Sequence, residues 1–245
     1  MLPEQVIIVT QSGANGQAFV RELAMRGHRC LHIPLIETVP LLRMEDATWA
    51  PVDAWLCTSA AAARAIAAAG KDLSAIRPPI CYCVGEATAE AFRRFGFSVK
   101  TFPDVRDGRS LAVRVAQEYA HRPGRFVFVR GRQARRELPK QLRQRGHEVI
   151  EWIVYDTVPA VVQPEAFLQH RRAVLAVFSP SAVDVFCSFE SLRWWVKQPG
   201  IRVVPFGQTT LDRLVAQGID AFAIPRRPTR TDMLVAIESA LSTQE

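Results

Sequence analysis

Residues 7–40 read IIVTQSGANGQAFVRELAMRGHRCLHIPLIETVP, and residues 126–159 read FVFVRGRQARRELPKQLRQRGHEVIEWIVYDTVP. The two stretches align without a gap at an offset of 119, and each contains an apolar strand, a helix and a final Thr-Val-Pro. Each helix ends in an Arg-Gly-His triplet, at Arg26–His28 and Arg145–His147, where the glycine suits a helix end that needs a positive φ. Because the helix dipole favours a cation there, we expect both histidines at the surface. An internal repeat of this length predicts two related halves.

A second unit of the chain also repeats, at an offset that drifts from 120 to 122. Strands at 53–57 and 173–178 each lead into a run of small and hydroxylated residues. Strands at 80–84 and 202–206 are each followed by a glycine, with a threonine three residues after the glycine. The matched positions are Ser59 with Ser179, Gly85 with Gly207, Thr88 with Thr210, Gly96 with Gly218 and Pro103 with Pro225.

Short strands alternate with helices throughout the chain, which predicts βαβ units and parallel sheets. About ten strands, five per repeat, predict two small doubly wound α/β domains related by pseudo-symmetry. The domains are either sequential, with a boundary near 122–124, or interleaved. In the interleaved arrangement the second unit of the first half joins the first unit of the second half, and the two Thr-Val-Pro segments are the crossovers. The periodicity does not decide between these arrangements.

The composition is that of a globular protein, with 49% hydrophobic and 22% charged residues among 245. No apolar run approaches the ~18–20 residues that span a bilayer, and the N-terminus lacks the basic segment of a signal peptide. We therefore expect a cytoplasmic protein without a membrane partner. The five cysteines are scattered and odd in number, which favours free thiols. Cys81 and Cys83 share one face of a strand, but no second Cys/His pair matches their spacing, so we expect no metal site.

The net charge of +7 favours a polyanionic partner without choosing among nucleic acid, membrane and polycarboxylate. The densest basic stretch, 130–145, carries Leu138 and Leu142 four residues apart and is typical of an amphipathic helix with a solvated basic face. No interleaved aromatic residues accompany that charge, so we expect no nucleic-acid partner.

In a doubly wound sheet, ligands bind beyond the carboxyl ends of the strands, where loops lead into helix N-termini. The repeated polar motifs occupy such places. Ser59 and Ser179 are suited to cap the following helices, and Gly85 and Gly207 allow the backbone to turn closely from strand to helix. The free N–H groups of such turns can hold a carboxylate or a phosphate. Either these residues form an anion site, or they are helix caps and nothing more.

The two glycine motifs differ beside the glycine. Glu86 would repel an anionic ligand, whereas its counterpart Gln208 would not. We therefore expect Gly207–Thr210 to contact the ligand more directly. The sequence has no Walker-type loop, no dinucleotide fingerprint, no His-Glu-x-x-His motif and no nucleophile elbow. These features together predict an anion-binding site with few chemical groups and no cofactor.

The ordered set of these motifs resembles the uroporphyrinogen-III synthases over roughly residues 6–240. The matching motifs are Thr58-Ser59-Ala60, Gly85-x-x-Thr88, Arg130-Gly131, Arg135-x-x-Leu138-x-x-x-Leu142-x-x-x-Gly146, Tyr155, Ser179-Pro180-Ser181-Ala182-Val183, Gly207-x-Thr209-Thr210 and Pro228-Thr229. The resemblance implies two interleaved flavodoxin-like domains, one formed by 1–38 plus 160–245 and the other by 39–159. It also implies a monomer without a cofactor.

The implied substrate is hydroxymethylbilane, a linear tetrapyrrole with eight carboxylates, which the enzyme closes to uroporphyrinogen III with inversion of ring D through a spiro intermediate. The deaminase that produces hydroxymethylbilane is a candidate partner. Tyr155 falls on the family's tyrosine, which is proposed to help hydroxide leave. The implied substrate-binding residues are Thr58, Ser59, Gly85, Thr88, Arg130, Arg135, Ser179, Ser181, Gly207, Gln208, Thr209 and Thr210.

One position departs from the family pattern: after the first strand the family commonly has Thr-Arg-Pro, and this chain has Gln11 in place of the arginine. Its repeat counterpart Arg130 is present. Two other functions stay open at this stage. One is a relative of the same fold that binds a tetrapyrrole or another polyanion without catalysis, and the other is a nucleic-acid-associated protein.

Overall fold

The structure is a computed structural model that describes residues 5–41, 51–68 and 79–242. The chain divides into two compact units. The first consists of Met1–Glu37 with Val158–Glu245, and the second consists of Thr38–Thr157.

The first unit contains a four-stranded parallel sheet, in which long apolar runs form the central strands because helices cover both faces. In the order in which they pair, the strands are β10 (Ile201–Pro205), β9 (Ala173–Val177), β1 (Val6–Val9) and β2 (Cys30–His32). The helices are α1 (Gly13–Met25), α6 (Glu165–Leu168), α7 (Pro180–Cys187), α8 (Glu190–Trp195), α9 (Gln208–Ala216) and α10 (Arg230–Ser242). Phe19 and Ile237 pack on one face of the sheet, and Phe186 and Trp195 pack on the other.

The second unit contains a six-stranded sheet, of which β4 to β8 are parallel. In pairing order, the strands are β3 (Ile36–Pro40), β8 (Glu148–Pro159), β7 (Arg125–Gly131), β4 (Ala54–Cys57), β5 (Cys81–Cys83) and β6 (Val99–Lys100). The helices are α2 (Ala60–Ala68), α3 (Glu86–Arg94), α4 (Gly108–Glu118) and α5 (Glu137–Gln144). Ile66 and Phe92 cover one face of the sheet, and Leu111 and Leu142 cover the other.

Strand pairing decides between the two arrangements that the repeat leaves open. β1 from the first half pairs with β9 from the second, where Ile8 opposes Leu175. In the other sheet β4 pairs with β7, where Leu56 opposes Phe128. The order β10-β9-β1-β2 corresponds strand for strand to β5-β4-β7-β8. The two halves are therefore interleaved, and the predicted class of two pseudo-symmetric, flavodoxin-like parallel sheets is confirmed.

The two Thr-Val-Pro segments are the ends of β3 and β8, which pair side by side. In the second unit the Leu41 N–H donates to the Val154 carbonyl at 3.0 Å, and in the first the Ala160 N–H donates to the Leu35 carbonyl at 3.0 Å. From the first bond to the second, the residue number falls from 41 to 35 beside β3 and rises from 154 to 160 along β8. The two strands therefore run antiparallel. The chain crosses between the units twice along this pair of strands.

The five cysteines are free thiols, and all except the half-buried Cys30 are buried. Cys81 and Cys83 point to the same face of the sheet, where Cys57 joins them. Over residues 5–41, 51–68 and 79–242, no group of three or more His, Cys, Asp or Glu side chains is placed to hold a metal ion. Over the same residues, no helix has the length and apolar character to cross a membrane.

Candidate active site

A cavity of about 440 Å³ opens at the carboxyl ends of the strands in the second unit. Loops that follow three strands contribute to its lining, with Thr58 after β4, Val84 after β5 and Arg135 after β7. The start of α4 closes another side. The lining residues are Thr58, Val84, Arg106, Asp107, Gly108, Arg109, Phe128, Ala134, Arg135, Glu137 and Leu138. This is the edge of a doubly wound sheet at which ligands bind.

Three arginines face this cavity with their charges available. Arg106, Arg109 and Arg135 are exposed, and none of the three guanidinium groups forms an ion pair with a side chain in the described part of the chain. Two carboxylates, Asp107 and Glu137, share the lining, so the cavity keeps a surplus of positive charge. A polycarboxylate would find both charge attraction and geometry suited to bidentate binding here.

Asp107 fixes the start of α4 within the cavity wall. Its carboxylate accepts from the Ser110 N–H at 2.8 Å, and the Ser110 hydroxyl lies 3.1 Å from the Asp107 N–H, which completes a capping box. The backbone and side-chain hydrogen bonds from Ser110 lower the pKa of Asp107 below its ordinary value. Gly108 follows, and a β-carbon there would come within 3.4 Å of Leu138 and 3.7 Å of Thr58. The helix start is therefore held tightly against the other two lining loops.

Sequence reasoning missed Arg106 and Arg109. The second repeat contains the signal, because an offset of 122 places Asp107 opposite Thr229. Thr229 caps α10 in the same way, accepting from the Asp232 N–H at 3.2 Å. Extending the repeat past Pro103 would have identified the start of α4 as a counterpart of the Pro228-Thr229 motif.

Thr58 and Ser59 follow β4 as predicted. Thr58 lines the cavity, and the Ser59 hydroxyl accepts from the Ala61 N–H at 3.1 Å, so Ser59 acts as a cap of α2. After β5, Gly85 has φ of +72°, a conformation that favours glycine. Glu86 pairs with Arg93 at the surface.

Thr88 lies in the first turn of α3, buried with 6% of its surface exposed. Its hydroxyl has no hydrogen-bond partner in the described part of the chain. Thr210, its repeat counterpart on α9, is 2% exposed and has an equally unpartnered hydroxyl among the described residues. A hydroxyl group without a protein partner is free to donate to a ligand, so these two are suited to that role.

In the first unit the predicted residues follow β9 and β10. The Ser179 hydroxyl accepts from the Ala182 N–H at 3.2 Å and caps α7, and Ser181 lies half-buried in the first turn. Gly207 has an extended backbone, with φ of −171°, so the reason for glycine is space. A β-carbon at Gly207 would lie 3.3 Å from Pro228. Both glycines stand at the predicted turn from strand to helix, with a positive φ at Gly85 and an extended backbone at Gly207.

Gln208 and Thr209 are exposed on the first turn of α9. The Gln208 amide donates to the Asp212 carboxylate at 2.7 Å, so this side chain is held along its own helix. After β1, the carbonyl oxygen of Gln11 accepts from the His32 imidazole at 2.7 Å. A β-carbon at Gly16 would overlap that carbonyl, so this close approach requires glycine.

Arg130, a predicted substrate-binding residue, has its guanidinium bonded within the protein. Its guanidinium is buried, pairs with Glu151 on β8, and donates to the carbonyl groups of Gly131 (3.0 Å), Arg132 (3.0 Å) and Ala134 (2.6 Å). These bonds satisfy its donors and hold the loop from β7 to α5. Arg130 therefore positions the loop that presents Arg135 to the cavity.

Tyr155 lies on β8 beside the last residue of β7, at the same edge of the sheet. A register shift places Gly131 opposite Tyr155, although Arg130 is opposite Ile153. The half-buried ring packs against the core cluster that contains Trp152 and Val154. Its hydroxyl has no hydrogen-bond partner among the residues that the structure describes.

Comparison with known proteins identifies a family for this chain. The family model described as Uroporphyrinogen-III synthase HemD matches residues 17–235. The chain is 23% identical over 248 residues to a uroporphyrinogen-III synthase from Chlorobaculum parvum, covering 97% of this chain and 99% of that protein. It is 26% identical over 172 residues to a uroporphyrinogen-III synthase from Saccharomyces cerevisiae, covering 64% of this chain and 62% of that protein.

Two solved structures have a similar fold. The uroporphyrinogen-III synthetase from Helicobacter pylori superposes with a TM-score of 0.68 at 19% identity, covering 98% of this chain and 100% of that chain. A mutant uroporphyrinogen III synthase from Thermus thermophilus gives a TM-score of 0.60 at 20% identity with the same coverage.

Proposed function

The chain belongs to the uroporphyrinogen-III synthase family, and from that premise we propose that it is a lyase that closes hydroxymethylbilane to uroporphyrinogen III. The observation that carries this proposal is the 440 Å³ cavity at the strand ends, which three arginines line without ion-pair partners among the described residues. A substrate with eight carboxylates requires such a surface. No residue in this set needs a metal or a cofactor to act.

The reaction demands positioning more than reactive groups. Hydroxide leaves the hydroxymethyl carbon with a proton from an acid, and an azafulvenium-like cation remains. Ring D attacks through its substituted α-carbon to form a spiro intermediate. The bond from that carbon to its original neighbouring bridge breaks, the freed bridge carbon bonds to the other α-carbon of ring D, and that α-carbon loses its proton, which restores the pyrrole with ring D inverted. Because the free substrate closes to isomer I, the enzyme must hold the chain in the fold that leads to isomer III.

We assign the proton-donating role to Tyr155. Its hydroxyl lies at the carboxyl edge of the sheet without a partner among the described residues, and Gly131 and the register shift fix the position of its ring. A phenol hydrogen-bonded to the departing oxygen would stabilise the developing hydroxide.

For the substrate carboxylates we propose two kinds of contact. Arg106, Arg109 and Arg135 supply charge, and the helix starts at Thr58–Ser59 and Gly85–Thr88 supply N–H and hydroxyl donors. In the first unit, Ser179, Ser181 and the Gly207–Thr210 segment, including Gln208 and Thr209, supply the corresponding helix starts. Arg130 acts through the loop that it holds.

We also propose that the two units are the two domains, 1–38 plus 160–245 and 39–159. We place the enzyme in the cytoplasm as a monomer, next to the deaminase that produces its substrate. Rapid transfer from that deaminase would limit spontaneous closure to isomer I. Nucleic acid and membrane are not among the proposed partners.

The proposal is tested by a coupled assay in which the deaminase generates hydroxymethylbilane in the presence of this protein. The product is oxidised and its isomers are separated by chromatography, with heat-inactivated protein as the control. Mainly isomer III at catalytic protein concentrations is the expected result. Isomer I at the rate of the control would overturn it, and retained substrate binding would then favour the non-catalytic relative.

A further inference from the structure

A second cavity, of about 410 Å³, lies at the opposite edge of the sheet in the second unit. It is formed where α4 leads towards β7 and where α5 leads into β8. Its lining residues are Ala116, Tyr119, Ala120, His121, Arg122, Pro123, Arg145, Gly146 and His147. None of them belongs to the candidate active site. The second copy of the Arg-Gly-His triplet forms one wall.

His147 is buried with 7% of its surface exposed, which corrects the surface position that the sequence predicts. The rings of Tyr119 and Phe126 pack against it, at centroid distances of 6.4 Å and 5.5 Å. Its Nδ1 accepts from the Gly124 N–H at 3.0 Å, so the neutral ring carries its proton on Nε2. That Nε2–H group has no acceptor among the described residues. Burial and the charge of Arg145 lower the pKa of His147, which keeps the ring neutral.

The first copy of the triplet is occupied by a carboxylate from the chain itself. In the first unit the Glu238 carboxylate lies 3.2 Å from the Arg26 guanidinium and 3.6 Å from His28 Nε2. Arg26 and His28 are the repeat counterparts of Arg145 and His147. Glu238 lies in the C-terminal half of α10.

The second copy lacks this carboxylate. The offset of 122 that pairs Pro103 with Pro225 places Ala116 of α4 opposite Glu238. The buried positions of the two helices agree with that alignment, since Leu111, Ala112 and Val115 correspond to Met233, Leu234 and Ile237. Ala116 lines the cavity. The cavity therefore stands where the first unit has a glutamate side chain.

The charges around the cavity favour an anion. Arg145 bonds only a backbone carbonyl, that of Gln141 at 3.1 Å, and forms no ion pair with a described residue. Arg122 pairs with Asp53 at 2.8 Å and lies over the ring of Tyr119. The second oxygen of Asp53 accepts from the Arg125 N–H, so this carboxylate is engaged on both sides.

We propose that this cavity binds a small carboxylic acid in its ionised form, with the carboxylate held between the Arg145 guanidinium and the His147 Nε2–H. The volume of 410 Å³ accommodates a molecule larger than the single carboxylate group that Glu238 provides. The ligand takes the place of the missing glutamate.

The test measures thermal unfolding in citrate and in inorganic phosphate, each against sodium chloride of equal ionic strength. A ligand that binds only the folded state raises Tm, so citrate should raise the Tm of the wild type by a few degrees. Two variants should lose the part of that rise that this second cavity contributes: Arg145→Gln, which removes the charge, and Ala116→Glu, which supplies the internal carboxylate. Ala116→Glu should also melt above the wild type without any added anion.

Arg26→Gln and Arg135→Gln are the matched controls, at the occupied copy and at the active-site cavity. Arg26→Gln should keep the whole citrate response, and Arg135→Gln should keep the part that Arg145→Gln loses, because the active-site arginines can also hold citrate. The imidazole ¹⁵N shifts of His147 supply a second measurement and should move with citrate in the wild type and in both controls, but not in Arg145→Gln or Ala116→Glu. A citrate response in Ala116→Glu and Arg145→Gln as large as that of the wild type would overturn the site. No response in the wild type, or a response to phosphate alone, would overturn the carboxylate assignment. These readouts do not depend on synthase activity.

Discussion

The phenol ring of Tyr155 packs directly against Gly131 and leaves no room for a side chain there. A β-carbon at position 131 would lie 2.5 Å from the ring carbon Cζ and 2.9 Å from the hydroxyl oxygen. The two residues face each other because the register between β7 and β8 shifts by one after Arg130. A glycine at the end of one strand therefore sets the position of the proposed acid on the next.

Removing the hydroxyl of Tyr155 should lower turnover and leave binding largely intact. We expect Tyr155→Phe to reduce kcat by about 100-fold or more, the usual contribution of a positioned acid, with a small change in KM. Stability should change little, because the hydroxyl makes no hydrogen bond to a described residue. Steady-state kinetics with in situ substrate check this. Wild-type turnover in the variant would remove Tyr155 from the mechanism.

The matched control is Gly131→Ala, which keeps the hydroxyl but displaces it. We expect a loss of kcat together with about 1–3 kcal/mol of stability, because the added methyl overlaps the ring. If Gly131→Ala lost stability without losing turnover, the ring position would not matter for catalysis.

Arg130 should be required for stability before it is required for binding. Replacing it by Met leaves Glu151 with Arg143 alone and removes a donor from three loop carbonyls, of which that of Gly131 still accepts from the Ala134 N–H. We expect the free energy of unfolding to fall by about 3 kcal/mol. This is the lower limit of the range for breaking a buried ion pair, because Glu151 remains partly hydrated. Urea denaturation checks this. Arg130→Lys should recover only part of the loss, since one ammonium cannot serve a carboxylate and three carbonyls at once.

The pH dependence of the same variant gives an independent readout. Burial alone would raise the pKa of Glu151, but hydrogen bonds from Arg130 and Arg143 outweigh it and hold the pKa below its ordinary value. The pair therefore stabilises the fold above the unfolded-state pKa, and this contribution disappears as pH falls through the lower folded-state pKa. The stability difference between wild type and Arg130→Met should shrink on acidification. A difference that stays constant would contradict the assigned pair.

The repeat in the sequence predicts the elements and their alternation, but residues 7–40 alone cannot show which strand they pair with. That choice is tertiary, and the pairing of Ile8 with Leu175 decides it. The burial of Arg130 is also decided by tertiary structure. Its local pattern is typical of a basic surface, whereas its partner Glu151 lies on a neighbouring strand that the local pattern does not reveal.

His147 was likewise misplaced because the helix-end argument considers only its own helix. The rings that bury it come from the end of α4 and from β7. A helix cap depends only on residues a few positions apart, so the sequence predicts it. Ser179 is an example, since its hydroxyl accepts from the Ala182 N–H. The functional role of the predicted site residues remains a prediction.

The two buried threonines offer a matched pair of binding variants. Thr210→Val keeps the shape of the side chain and removes a hydroxyl without a partner in the described residues, so stability should not fall. If the hydroxyl donates to a substrate carboxylate, KM should rise by about 10-fold or more, the value of a hydrogen bond to a charged group. Thr88→Val should have a smaller effect, because Glu86 lies beside it. An unchanged KM in Thr210→Val would leave the threonine as a helix residue only.

Asp107 lies among the arginines of the active-site cavity, so removing its charge should strengthen substrate binding. Asparagine caps a helix about as well as aspartate, and Asp107→Asn should therefore keep α4 in place at neutral pH. We expect KM to fall about two- to fivefold, the effect of one exposed charge. Asp104→Asn is the control, because Asp104 pairs with Arg114 and does not line the cavity. A higher KM in Asp107→Asn would contradict the electrostatic role of the cavity.

The same variant predicts a change in acid stability. Hydrogen bonds from Ser110 lower the pKa of Asp107 in the folded state, so its carboxylate stabilises the fold above the unfolded-state pKa of about 3.9. In the wild type this contribution is lost as pH falls through the lowered folded-state pKa. Asp107→Asn has no such titration, so its stability should fall less steeply with acidification than that of the wild type. Urea midpoints from neutral pH to below pH 4 measure this, and parallel curves would mean that the Asp107 cap carries no charge-dependent stability.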